Sequence, residues 1–355
     1  MKKVAMFLTP LLVLSLLLGA VGCGGDEATP KPTAAPTAAP TATVPTMEPV
    51  TWKLIHGYPE TSLRGEIATK FEELMEEYTD GKIMVDVYHA GTLFSLSRSW
   101  EATVTGAVDV DLGVPYYAAQ AVPWFTVFYM LGMWEGYDHM WNLITSDAFN
   151  AKMLADLEPN NVHPLGAVAN ATLHGMATKV EVKTWRDLEG LKVPHRAGAP
   201  IIPDEIVKGY VIVEVTPGEE LIAFQTGLVD VNNPAVETLV AMECWEWADY
   251  IYIEGGMADI SIVNVNKDSW DAIPAYYQDI ITDEVFPEVQ LFSFNRMKEK
   301  DATGVALLKE NMNVNEATAA DLAEKWAAML ELVETQGALT MFGAEVIQIV
   351  DDARP

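Results

Sequence analysis

The chain has 355 residues, 22 Lys and Arg against 51 Asp and Glu, and a formal net charge of −29 at neutral pH. An acid excess of that size argues against nucleic acid and anionic lipid as partners and serves solubility. Cys23 and Cys244 are the only cysteines, and the N-terminal pattern commits Cys23 to a lipid, so no internal disulfide is available and the fold rests on its core.

Residues 1–22 read as a targeting segment. Lys2 and Lys3 precede an apolar run from Val4 to Val21, and small residues lead into Cys23 in "GAVGCGG". A lipoprotein signal peptidase requires small side chains there, and the Cys23 thiol becomes the lipid attachment point. The position three before Cys23 is Ala20, where Leu is usual. The competing reading is an uncleaved membrane helix, since the run is just long enough to span. The composition of residues 23–49 favours the lipoprotein. This segment places Pro at 30, 32, 36, 40, 45 and 49 among Thr and Ala, with almost no large apolar side chain to bury. Such a tether of about 25 residues reaches ~75 Å at ~3.1 Å per residue.

The remainder, long enough for two domains, alternates strands and helices. "VTWKLIHGY" (50–58) is a strand, and Ile67, Phe71, Leu74, Met75 and Tyr78 then recur at helical spacing. "DGKIMVDVYHAG" is a turn and strand, and "SWEATVTGAVDVDLGVPY" a helix ending near Gly106 and then a strand. This order favours a largely parallel sheet. A second set begins near residue 161. "NVHPLGAVAN" and "LHGMATKV" are strands, "KTWRDLEG" is a short helix with Thr184 and Asp187 as a capping box, and "LKVPHR" is a buried-type strand ending at Pro194. "GYVIVEV" is a strand, "TPGEELIAFQTG" a helix with Pro217 in its first turn, "LVDVNNP" a short strand and turn, and "YIYIEGGMADISIVNVN" two strand-like runs. The C-terminal part is helical, with a kink expected near Pro287 and a capping box at Thr318 and Asp321.

Motifs for hydrolysis, nucleotide binding or metalloprotease chemistry are absent. The six histidines show no metal-ligand pair spacing. Asp109 and Asp111 share a strand face and could meet a cation, but no calcium-type loop follows. Cys244, in "MECWEWADY", suits a buried inert thiol. No cofactor and no resident metal are expected, and no enzymatic chemistry.

Five stretches, in order, resemble the extracytoplasmic solute-binding protein of TRAP transporters, the DctP-like family. They are "KFEELMEEYTDGKIMVDVYHAGTLF", "VTGAVDVDLGVPYYAAQAVPWFTVFYML", "VEVKTWRDLEGLKV", "TPGEELIAFQTGLVD" and "VNKDSWDAIP". The resemblance implies a two-lobed, periplasmic-binding-protein-like α/β fold with a ligand cleft between lobes and a long hinge helix. The expected division is 50–175 plus about 260–300 for lobe I and 176–259 plus about 301–355 for lobe II. It implies an extracytoplasmic protein that captures a small organic solute, an organic acid above all, and delivers it to TRAP membrane permease subunits, held to the membrane by its lipid anchor. A ligand-sensing lipoprotein and a surface-anchored hydrolase are the alternatives.

The resemblance also locates a site. The family's carboxylate-binding Arg follows "GLK" on a strand; its position here is Pro194, and Arg196 lies two residues on, on the same strand face but ~6.6 Å along. Arg196 either grips an anion, where its planar fork suits a carboxylate, or is a solvated turn residue. His195, Asn232 and Asn233 are its expected helpers, and Trp100 and Tyr117 the rings that cover the apolar part of the solute. Tyr116 and Trp124 belong to the same aromatic group. The family's second Arg, in a Gly-x-Arg arrangement, has no counterpart after Gly175, where Met176 and Ala177 stand. A cleft short of Arg and rich in rings favours a less anionic solute than a C4 dicarboxylate. Lys183, Arg186 and Lys192 are expected to be a solvated face.

Overall fold

The computed structural model describes residues 45–130, 134–196, 203–216, 219–256, 258–335 and 342–355, with the backbone alone at Arg196, Pro203, Val333 and Glu334. The targeting segment, Cys23, most of the tether and Pro217 lie outside the described residues.

The first sheet is built from β1 (Val50–Ile55), β2 (Ile83–Tyr88), β3 (Val110–Gly113), β4 (Val162–Ala171) and β10 (Asp259–Asn266), in the order β2-β1-β3-β10-β4. The first three strands are parallel, as a β-α-β-α-β order dictates, but β10 runs antiparallel to both β3 and β4. The sheet is therefore mixed, because β4 and β10 carry the chain out to the second sheet and back. That sheet has the order β11-β9-β5-β8, from β5 (His174–Thr178), β8 (Val231–Asn232), β9 (Tyr250–Glu254) and β11 (Asn313–Glu316). A parallel pair, β6 (Lys192–Arg196) and β7 (Val211–Val215), lies beside it, with Lys192 N donating to the Asp230 carboxylate at 2.9 Å. β6 continues through Pro194 to Arg196 rather than ending at the proline. Its ladder has β7 alone as partner, which leaves a side where a missing N–H costs nothing.

Helices cover the sheets. Helix α1 (Leu63–Tyr78) starts at Ser62, whose hydroxyl accepts from Gly65 N at 3.1 Å, and buries Ile67, Phe71, Leu74 and Met75 on the first sheet. The short α2 (Ser99–Val104) and α3 (Pro115–Ala118) follow β2 and β3. Further along, α4 (Tyr137–Ile144) and α5 (Asp147–Leu157) pack on β4. On the second side lie α6 (Pro203–Val207), α7 (Glu220–Gln225) and α8 (Val236–Ala241). After α9 (Lys267–Asp271), α10 (Ala275–Ile280) runs through a π-turn at Ile281–Val285 into α11 (Phe286–Asn311). The irregularity expected at Pro287 is that π-turn; the proline itself sits in the first turn of α11, where its missing N–H is harmless. Helix α11 is the long one. Its first half packs on β4 through Gln290, Ser293 and Phe294, and Gly304 further on lets it approach Val236 and Val240 of α8.

Both expected capping boxes form, Thr184 with Asp187 and Thr318 with Asp321, the latter at the start of α12 (Ala319–Thr335). One large core belongs to the first sheet and two smaller ones flank the second. Val346 and Val350 of the last helix, α13 (Ala344–Asp352), sit in the large core with Phe128 and Phe149. Among the described residues no helix is long and apolar enough to cross a membrane.

Candidate functional site

In open α/β sheets ligands meet the carboxyl edges of the strands, where the chain leaves regular structure. Trp100, on α2, and Tyr117, on α3, are half-buried at that edge of the first sheet. The Tyr116 ring stands edge-on to both Tyr117 (5.4 Å between centroids) and Tyr129 (5.6 Å). Trp124 is elsewhere: it is buried among Phe125, Phe128 and Phe149, and its indole N–H donates to Asp156 at 2.7 Å. It is a core residue, because the segment that carries it folds into the sheet's outer layer.

The polar candidates come from the second side. His195, on β6, is buried and its Nδ1 bonds Glu205 of α6 at 2.9 Å. Asn232 ends β8, which adjoins β6; its side chain is 2 % exposed and its Nδ2 has no hydrogen-bond partner. A buried donor left open is costly, on the order of 1–3 kcal/mol, and invites an acceptor. Asn233 follows, half-buried. The Arg196 backbone pairs with Val215 at the end of β6, and its side chain lies outside the described residues. The candidates thus fall into two groups, the rings on helices beside the first sheet and the polar residues on β6 and at the end of β8.

Two positions are apolar where cations might be looked for. Ala177 is fully buried opposite Asn232, and Pro194 is buried in β6. Lys183 is exposed and paired with Glu181, Arg186 is exposed and paired with Glu324, and Lys192 is exposed, so these three form a solvated face. Asp109 and Asp111 do not converge. Asp109 accepts from Lys53 N at 2.8 Å and from the Ser269 hydroxyl at 2.7 Å, while Asp111 is buried. No group of three or more metal-ligating His, Cys, Asp or Glu forms among the described residues. Cys244 is buried against Met312, and burial pushes its thiol up to about 11, far from a reactive thiolate.

Sequence reasoning missed the charged groups around the crossing strands. Arg64 of α1 donates to Asp259 at 2.5 Å and to the Ser261 hydroxyl at 3.1 Å on β10, beneath the Tyr58 ring. Lys208 and Lys325 both bridge Asp204 and Glu254, all four nearly inaccessible. His56 and His89 meet at 2.9 Å. Only Asp204 and Lys208, four apart, carried a local signal; the rest come together through pairings of distant strands.

Among the described residues, the expected rings stand beside the first sheet and the expected amides at the end of β8 in the second. Comparison with known proteins gives the family. Residues 54–338 match the family model DctP, described as bacterial extracellular solute-binding protein, family 7. The chain is 25 % identical over 318 residues to the C4-dicarboxylate-binding periplasmic protein DctP of Rhodobacter capsulatus, covering 88 % of this chain and 93 % of that protein. It is 26 % identical to the ectoine/5-hydroxyectoine-binding periplasmic protein UehA of Ruegeria pomeroyi, over 65 % of this chain and 68 % of that one. Its fold matches the sugar acid binding protein DctPAm of Advenella mimigardefordensis, solved with galactonate, with a TM-score of 0.78 at 18 % identity, over 87 % of this chain and 99 % of that one. The model match spans most of the chain, and the two-lobed fold is that of the family's solved members. The chain belongs to the DctP family of bacterial extracellular solute-binding proteins, family 7.

Proposed function

We propose that this solute-binding protein captures a small organic acid with one anionic head and an apolar body, and hands it to a TRAP membrane permease. The three relatives are named for a dicarboxylate, a sugar acid and ectoine, and all three classes carry a carboxylate. The observation that carries the reading is the division of the candidates between two sheets, with the open Asn232 donor on one side and the Trp100 and Tyr117 rings on the other. A solute touching both sides draws them together, and closure shields it from water. Arg196 meets the carboxylate, with His195 and Asn233 beside it. Buried Pro194 and Ala177 leave no room there for a second guanidinium, so a dianion is the poorer fit.

We further propose that lobe I holds 50–175 and about 260–300, and lobe II 176–259 and the chain from about 301 up to the last helix. The last helix is assigned to lobe I rather than lobe II, since Val346 and Val350 pack in the larger core. Cys23 is lipidated, and residues 23–49 hold the lobes clear of an extracytoplasmic membrane face.

A thermal-shift screen with succinate, galactonate, ectoine, pyroglutamate and aromatic monocarboxylates tests the solute. A ligand at about 100 times its Kd adds about 2.7 kcal/mol of stability. A monocarboxylate is expected to raise Tm most. A shift with neutral sugars alone would reject the organic-acid reading.

A further inference from the structure

Asp111 lies in the middle of β3, 1 % exposed, between Ile55 of β1 and Asn264 of β10. Ser99, the first residue of α2, is equally buried and stands beside the carboxyl with Asn264. The Asn264 amide nitrogen and Asp111 Oδ2 crowd one spot: a Cβ on Gly113 would come within 2.5 Å of the first and 2.6 Å of the second. The amide's donor end thus serves one carboxyl oxygen. Three buried oxygens remain without a partner, namely Asp111 Oδ1, Asn264 Oδ1 and Ser99 Oγ. Turning the amide over changes nothing, because the donor would still serve one acceptor and leave another bare.

Among the described residues no cation relieves this. The groups that act on the carboxyl are burial, Ser99 and Asn264; Asp109, next on the same face, is engaged with Lys53 N and Ser269. An ionised carboxylate here would be an unpaired charge between central strands, which costs several kcal/mol. Given to the carboxyl, the single Ser99 hydroxyl proton satisfies Ser99 Oγ and Asp111 Oδ1 and leaves Asn264 Oδ1 without a donor. One added proton closes the count.

We propose that Asp111 is a proton-binding site: in the folded protein it is a neutral acid that donates to Asn264 Oδ1, and loss of that proton frees the start of α2 from β3 and β10. The charge expelled toward water can leave only through the layer that covers it, and α2 is that layer. Burial accordingly lifts the carboxyl to about 7, within reach of the pH range outside a cell. Trp100 is the next residue of α2, so the site links external pH to the ring at the cleft rim. That link rests on the organic-acid reading of the cleft; the proton itself does not.

Three measurements on the whole chain test it without any solute. In an Asp301→Asn background, which removes the other raised carboxyl that is buried, infrared titration should show a protonated-acid carbonyl band near pH 6 that fades above about pH 7 and is absent after Asp111→Asn. Asp111→Asn keeps a donor for Asn264 Oδ1, so it should match its parent in Tm near pH 4 and exceed it by several degrees near pH 7.5; Asp111→Ala should lose that gain. Hydrogen exchange in residues 99–104 should quicken from about pH 6 to 8.5 in the parent beyond the intrinsic rate, and not in Asp111→Asn. Absence of the band near pH 6 overturns the proton site. Equal α2 exchange in parent and variant overturns the release of α2. Because no ligand enters these tests, failure of the organic-acid reading would leave their outcomes standing.

Discussion

Lys325 Nζ lies 2.8 Å from Glu254 Oε2, and neither side chain has any accessible surface. Lys208 and Asp204 complete a closed square of two cations and two anions, in which each lysine touches both acids. It joins α6, α12 and the last residue of β9, just before the chain crosses to the first sheet. Two charges of each sign leave no net charge inside, and every charged group has a partner, which is the condition for burying ions at all. The lysines hold Glu254 well below the usual carboxylate range.

Breaking the square should therefore cost more than removing a surface pair. Lys325→Met is expected to lose about 3–5 kcal/mol in urea unfolding, because Glu254 and Asp204 remain buried with one cation between them. Adding Glu254→Gln should recover part of the loss. If the single variant unfolds like the parent, the four charges are not buried together in solution.

Arg196 decides the site. If its fork meets a buried carboxylate, Arg196→Lys already weakens binding of the acid found by thermal shift, and Arg196→Ala costs about 2–5 kcal/mol by titration calorimetry. Asn232→Ala should cost less, about 1 kcal/mol, as one neutral hydrogen bond does. Unchanged affinity in Arg196→Ala would remove it from the site without touching the family.

Acid should destabilise the protein through two histidines. Burial lowers both His56 and His174 to about 4, His56 with help from His89 and Arg64. The unfolded chain takes up these protons near pH 6.5 and the folded chain does not, so the stability they confer is complete above about 6.5 and lost as pH falls toward 4. His56→Asn should make the fall of Tm between about pH 6.5 and 4.5 shallower, provided Asn keeps the bond from Tyr58 N. A steeper fall would mean that His56 is charged in the fold.

Glu237 connects the two sides. From α8 its Oε1 accepts from Leu63 N, the first amide of α1, at 2.9 Å, and from Lys300 of α11 at 3.3 Å; Lys300 also pairs with Glu66 at 3.0 Å. Glu237→Ala should cost about 1 kcal/mol, the usual scale for a helix-start acceptor, and speed hydrogen exchange at Leu63. Exchange unchanged at Leu63 would show that the bond is not kept in solution.

The anchor is tested most simply. Cys23→Ala should leave the protein soluble after cell fractionation, since one lost thiol removes the lipid. A variant that still sediments with membranes contradicts the lipoprotein reading.

Local order was legible in the residues themselves. Alternation placed β1 and β2, the spacing of Ile67, Phe71 and Leu74 placed α1, and Thr–Asp pairs three apart marked two helix starts, because each of these signals acts between neighbours in the chain. The order of motifs pointed to the family, and the acid-rich, turn-like setting of Lys183, Arg186 and Lys192 marked them as exposed. What the sequence could not determine by itself was which charges go inside. Lys208, Lys325, Arg64 and Asp111 look like any surface residues in a chain of charge −29, and Trp124 looks like Trp100. Whether a charged side chain can be buried depends on partners 46 to 197 residues away, brought in by strand pairing. The antiparallel return of β10 sets the partners of Arg64 and Asp111, the meeting of α6 and α12 at the end of β9 sets those of Lys208 and Lys325, and no local pattern encodes either. Tertiary structure decided the charges because the cost of burying one is met only by an opposite charge or a proton at contact distance, and contact at that range is a property of the fold alone.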